Sequence, residues 1–109
     1  MALPKKNRIK KQSEFAEVLR AGKRFRGVFL SIVFIRKTTK GVNVAVVVPS
    51  KIIPKATARN RLKRMILEEV YRFIKEKKSL SLIVYLNKNT AKEDIKKEIR
   101  FLFNKIDLD

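Results

Sequence analysis

The sequence has no cysteine and no histidine among its 109 residues. The first absence removes a disulfide framework and any thiolate metal site. The second removes the commonest general base and the commonest metal ligand. Acids are scarce where the positive charge is greatest: residues 1–64 carry 18 Lys and Arg but only Glu14 and Glu17. A stand-alone nuclease would need clustered carboxylates to hold its metal. Glu68, Glu69 and Glu76 sit close together in sequence but on one predicted helix, without an evident partner strand. No apolar run approaches the about 20 residues of a membrane span. The opening MALPKKNRIKK has no apolar signal core, so a cytoplasmic protein with no membrane partner is the expectation.

What is present is charge of one sign. The formal net charge is +18. Residues 65–109 are nearly balanced, with 10 basic against 8 acidic side chains, so the excess belongs to the first part of the chain. A field of that kind binds a polyanion. Nucleic acid is the leading ligand class, and an anionic membrane surface is the competitor.

The length and the 45% apolar content fit a single domain spanning 1–109 with a modest core. Residues 1–8 read as a loose basic arm. Ser13 is a candidate N-cap for a short helix in which Phe15, Val18 and Leu19 share a face and which Gly22 ends. VFLSIVFI (28–35) and VNVAVVV (42–48) are β-branched and aromatic runs that predict strands. The second is apolar on both faces, which predicts a central strand. The short polar link RKTTKG predicts that the two form a hairpin. Pro49 and Pro54 bracket PSKIIP and exclude an uninterrupted helix there.

A long helix is predicted from about Ala56 to about Lys75, with Leu62, Met65, Ile66, Val70 and Phe73 on one face. Asn60, Arg61, Arg64 and Glu68 fall opposite, and Arg59 and Lys63 lie at the border. LSLIVYL (80–86) predicts another strand. Thr90 and Glu93 match a capping box, ahead of a final helix with Ile95, Ile99, Leu102, Phe103 and Ile106 along one seam. The order is helix, strands, basic helix, strand, helix: an α+β two-layer sandwich with one small sheet.

The start of the long helix is electrostatically unfavourable. Lys55, Arg59, Arg61, Lys63 and Arg64 crowd into ten residues. Cations at a helix N-terminus oppose the macrodipole by about 0.3–1 kcal/mol each, and like charges at i, i+4, as at Arg59 and Lys63, add to the cost. The exposed backbone N–H groups of a helix start favour an anion. Arriving phosphates relieve the repulsion, so the residues point to RNA or DNA.

ARNRLKR (58–64) resembles the Arg-Asn-Arg signature of the bacterial ribonuclease P protein subunit. RIKKQSEFAEVLRAGKRFRG (8–27) is similar to that family's basic lead-in, acidic residue before Phe, and Gly-terminated helix. SKIIPKATARNRLKR and LSLIVYLNKN resemble the segments entering and following its basic helix. The resemblance implies a mixed sheet in which the basic helix makes a left-handed crossover between two neighbouring parallel strands. It implies a non-catalytic protein partner for a catalytic RNA that removes the 5′ leader from precursor tRNA, with Mg2+ held by RNA and substrate rather than by a protein site.

Carried over by residue, the resemblance implies that Arg59, Asn60, Arg61, Lys63 and Arg64 dock on the catalytic RNA. It likewise implies that Phe15, Leu19, Ser50 and Lys51 belong to a leader-binding cleft. Leu19 stands where the family usually has a second aromatic residue, and Ile52 and Pro54 where it usually has Lys and Gly. Two further readings compete. A ribosomal or other structural RNA-binding protein would need the same basic face. A DNA-binding module is disfavoured because PSKIIPK, rather than a preceding helix, enters the basic helix.

Overall fold

The computed structural model describes residues 9, 12–36, 41–74 and 79–105. The elements are α1 (Gln12–Ala21), β1 (Lys23–Arg26), β2 (Leu30–Arg36), β3 (Gly41–Val47), α2 (Ala56–Ile74), β4 (Ser79–Leu86) and α3 (Lys92–Lys105). The predicted basic arm, residues 1–8, lies outside the described residues, as do Lys75, Glu76 and Ile106.

The four strands form one mixed sheet in the order β1-β2-β4-β3. β1 pairs antiparallel with β2, and β2 antiparallel with β4; β3 pairs parallel with β4. The expected hairpin between the runs 28–35 and 42–48 is therefore wrong. β4 inserts between them, pairing Val33 with Ile83 on one side and Ala45 with Ile83 on the other. The short link RKTTKG favours a hairpin locally, but β4 is the strand buried on both faces from Leu80 to Val84, and it takes the interior place between the two.

Nor is β3 central. It is an edge strand, and its outer side accepts a hydrogen bond at the Val44 carbonyl from the Ile9 N–H (3.0 Å). Its residues are apolar on both faces because both faces are covered.

Period-2 alternation assigns the two faces. Leu30, Ile32 and Phe34 of β2, Val42 and Val44 of β3, and Leu80, Leu82, Val84 and Leu86 of β4 bury against α2 and α3. Those helices contribute Leu62, Ile66, Val70 and Ile74 from α2 and Ile95, Ile99, Leu102 and Phe103 from α3. Each such side chain contributes about 1.5–3 kcal/mol when fully buried, so this is the principal core. The opposite face carries a smaller cluster of Val18, Val33 and Ile83, against which Phe15, Leu19, Ala45 and Val47 pack. The sheet with α2 and α3 makes the two main layers, and α1 covers part of the reverse side.

Two local signals are displaced in the structure, and a third, the Gly22 stop, holds for a different reason. The first helix begins at Gln12, so Ser13 lies inside it rather than capping it. Gly22 follows that helix without a left-handed φ. Its requirement is space, since a Cβ there would meet the Val18 carbonyl, the Phe34 carbonyl and Val33. At α3 the Ala91 carbonyl accepts the Asp94 and Ile95 N–H groups, and the Thr90 hydroxyl bonds Asp94 (2.9 Å) in place of the expected Thr90–Glu93 box. The strand KRFR carries no strand pattern of its own; Phe25 stacks on Phe34 with centroids 5.8 Å apart.

Candidate nucleic-acid interface

The sequence of the basic cluster places its charges on the rim of α2. Leu62, Ile66 and Val70 are held in the core, which turns Asn60, Arg61 and Arg64 outward, and all three are exposed. Lys63 is half-buried at the border, as the wheel predicts. Arg59 is different. Its Nη1 donates to the carbonyls of Ile53 (3.0 Å) and Pro54 (2.7 Å), so its guanidinium braces the loop that enters the helix. No acidic residue occupies the first turn of α2 to offset these cations.

The loop between β3 and α2 is a tight turn. The Pro49 carbonyl accepts the N–H groups of Ile52 (3.0 Å) and Ile53 (3.1 Å). Val48 and Ile53 anchor it in the core, leaving Ser50 and Lys51 exposed at its tip. Because β3 and β4 are parallel with Val47 opposite Tyr85, the loop leaves the sheet at the end where Tyr85 lies.

On the reverse face of the sheet, α1 leaves an open cleft of about 330 Å³. Leu19 forms its wall on the α1 side; Arg24 and Arg26 of β1 form the other. Its floor is Ser31, Val33 and Tyr85, with Asn87 at the end. Tyr85 is 38% exposed, high for a residue of the middle of a sheet. Arg24 Nη2 donates to the Leu19 carbonyl (2.7 Å), tying the two walls together. Asn87 Nδ2 donates to Ser31 Oγ (2.8 Å). The result is an apolar and aromatic floor with two guanidinium groups along one side, a combination suited to stacked bases and a tracked backbone.

The structure thus brings Leu19 to the cleft itself and places Phe15 beside it, in the cluster with Val18, Val33 and Ile83. Ser50 and Lys51 stand at the same end of the sheet, and the Arg59–Arg64 cluster begins just beyond them on the side of α2. The lining residues Arg24, Arg26, Tyr85 and Asn87 are absent from the sites expected on sequence. Part of the signal is in the chain: Ser81, Ile83 and Tyr85 alternate with Leu80, Leu82, Val84 and Leu86, which puts Tyr85 on the α1 face.

Two carboxylates brace the fold around the sheet, one on each face. Glu14 accepts from Asn43 Nδ2 (2.9 Å) and from the buried Ser81 Oγ (2.7 Å), pinning α1 to the sheet. Glu98 of α3 accepts the N–H groups of Val28 (3.0 Å), Phe29 (2.8 Å) and Leu30 (2.6 Å). Among the described residues no three His, Cys, Asp or Glu side chains gather as a metal site, and no helix is long and apolar enough to cross a membrane.

Comparison with known proteins gives one consistent result. The family model described as Ribonuclease P matches residues 3–107. The ribonuclease P protein component of Dictyoglomus turgidum is 36% identical over 98 residues, covering 86% of this chain and 81% of that protein. The counterpart from Dictyoglomus thermophilum is 33% identical over 100 residues, covering 88% and 82%. Among solved structures, the Staphylococcus aureus RNase P protein aligns with a TM-score of 0.82 at 18% identity, covering 94% of this chain and 96% of that one. The Thermotoga maritima RNase P protein aligns with a TM-score of 0.75 at 22% identity, covering 92% and 97%. The two structural matches speak for the fold; the family model and the sequence relatives speak for the family.

Proposed function

The chain belongs to the ribonuclease P protein family, and from that membership we propose a division of labour between its two surfaces. As a member it is an RNA-binding protein component of the endonuclease that matures tRNA 5′ ends, with the ribonuclease P RNA as its partner. In our reading the start of α2 docks on that RNA: Asn60, Arg61, Lys63 and Arg64 face phosphates, while Arg59 holds the entry loop in place. The cleft on the other face takes the 5′ leader of precursor tRNA. Leu19 and Tyr85 offer surfaces for bases, with Phe15 behind them, and Arg24, Arg26 and Lys51 attend to the backbone, with Ser50 beside Lys51.

The observation that carries this reading is the shared end of the sheet. The Ser50–Lys51 loop leaves β3 beside Tyr85 and runs straight into the basic helix start. One protein can then touch the catalytic RNA and the substrate's leader with adjoining surfaces. Its contribution is positioning and charge neutralisation rather than bond breaking. Magnesium belongs in this reading to the RNA and the substrate, since the groups that the two surfaces offer to phosphate are Arg and Lys side chains. The work is done in the cytoplasm.

The test is cleavage of a precursor tRNA by a bacterial ribonuclease P RNA alone, by the protein alone, and by both, across a magnesium titration. The protein should lower the magnesium needed by the RNA and should cleave nothing alone. A magnesium requirement that the protein does not move, or metal-dependent cleavage by RNA-free protein, would overturn the proposal.

A further inference from the structure

A second groove lies on the α3 side of the edge strand β1. It encloses about 630 Å³ and is lined by Phe25, Arg26, Val28, Phe101, Leu102 and Lys105, with the Glu98 carboxylate behind them. Neither the Arg59–Arg64 cluster nor the cleft accounts for it. Among the described residues three large apolar side chains are exposed: Val28 at 65%, Phe101 at 59% and Tyr85 at 38%. Tyr85 floors the cleft, and the other two line this groove.

Arg26 lines both spaces. In β1 the side chains of Arg24 and Arg26 sit opposite Val33 and Ser31, towards the cleft, while Phe25 turns to the other face and stacks on Phe34. The free edge of β1 therefore separates the cleft from the groove, and Arg26 spans it. A strand of nucleic acid leaving the cleft past Tyr85 and Arg26 reaches Val28 and Phe101 next.

The chemistry of the groove suits that occupant. Lys105 Nζ stands 4.9 Å from the centroid of the Phe101 ring, so a cation and an exposed aromatic face share one spot. Lys97 flanks the far side of Phe101, in a smaller hollow that also holds Phe29 and Asp94. The acids present are engaged: Glu98 accepts three backbone N–H groups, and Asp94 accepts from Thr90. Exposed aromatic rings among cations are the means by which proteins hold single strands without reading sequence. A second copy of this chain fits worse, because a molecule of net charge +18 repels its own kind.

We propose that this groove is a binding site for single-stranded RNA, continuous with the cleft across Arg26, and that it holds the distal nucleotides of a long 5′ leader by stacking on Phe101. The inference rests on the cleft being the leader site, and the experiment separates the two. Holoenzyme is reconstituted with wild-type protein, Phe101→Ala, Phe101→Trp and Tyr85→Ala, and its affinity is measured for precursors with a short leader that ends in the cleft and with a long one. Wild-type holoenzyme should bind the long-leader precursor more tightly. Phe101→Ala should remove about fivefold or more of affinity for the long leader, the low end for a missing base–aromatic stack, and leave the short one unchanged. Phe101→Trp should restore it, and Tyr85→Ala should weaken both.

Equal binding of the two precursors by wild type, or an equal loss on both with Phe101→Ala, would overturn the groove proposal. So would a concentration-dependent dimer in sedimentation that Phe101→Ala abolishes, which would assign the groove to a second copy. If Tyr85→Ala changes neither precursor while Phe101→Ala still discriminates, the cleft reading fails and with it the path across Arg26, and the groove alone is left as the leader site.

Discussion

Glu98 shows how much one side chain can organise. Its carboxylate reaches from α3 to three successive backbone N–H groups at the start of β2, so it fixes the turn after β1 and with it the edge over which Arg26 lies. Gly27 leaves room for it: a Cβ there would meet Glu98 Oε1 at 2.5 Å and the Leu30 carbonyl at 2.9 Å, so a larger residue would push the carboxylate aside. Removing the acceptor takes this partner from the N–H groups of half-buried Phe29 and buried Leu30. Glu98→Ala should therefore cost about 1–3 kcal/mol of stability, read as a lower urea midpoint. Glu98→Gln keeps an acceptor oxygen and should recover part of that loss. Equal losses for the two variants would show that the hydrogen bonds are not the cause. Arg59 is the same kind of residue in another place: its charge belongs to the RNR motif, yet its geometry serves the loop carbonyls of Ile53 and Pro54.

Elements are legible where periodicity is long. α2 and α3 can be placed to within a residue or two because their apolar positions repeat over several turns, and β4 because LSLIVYL has no competing pattern. Pairing is not legible. Nothing local to residues 28–48 states that β4 will come between β2 and β3, since that choice is made by burial across the whole sheet. β1 is too short, and too charged at Lys23, Arg24 and Arg26, to announce itself. Of the candidate site, the exposed Arg61 and Arg64 are readable from the wheel, whereas Arg24 and Tyr85 become neighbours only through strand order. Glu69 is another product of packing. It is buried at 4% exposure between α2 and α3, with Arg72 and Arg100 nitrogens each 3.8 Å from its oxygens and no hydrogen bond to Oε2. Buried ion pairs seldom repay their desolvation, and an apolar substitute of similar size is often neutral or better. Glu69→Met should leave stability unchanged or raise it. Arg100→Ala should lower it by about 1–2 kcal/mol in the native background, because Arg100 is itself half exposed. In the Glu69→Met background it should do much less. A double-mutant cycle by chemical denaturation measures the difference, and additive effects would rule out coupling between the helices through this pair.

At the scale of the molecule, charge is segregated along the chain but gathered by the fold. The basic first part supplies β1, the Ser50–Lys51 loop and the start of α2, while the balanced second part supplies most of the helical layer and the central strand. Every phosphate that a protein cation ceases to neutralise lowers the salt slope of RNA binding by about 0.7–0.9. Arg61→Ala with Arg64→Ala should thus weaken binding to ribonuclease P RNA and flatten its dependence on salt by about twice that amount, with the circular dichroism spectrum unchanged. An unaltered slope would place the docking surface elsewhere. The strand order has a consequence for synthesis as well. β2 and β3 emerge from the ribosome first but have no pairing with each other; each waits for β4, whose first residue is Ser79. Until then the nascent chain can close only the β1–β2 ribbon, and an isolated two-stranded ribbon is marginal in water. The most cationic stretch of the protein is therefore made, and left without its sheet, in the immediate company of ribosomal RNA, and the principal core can close only after β4 and α3 have followed it.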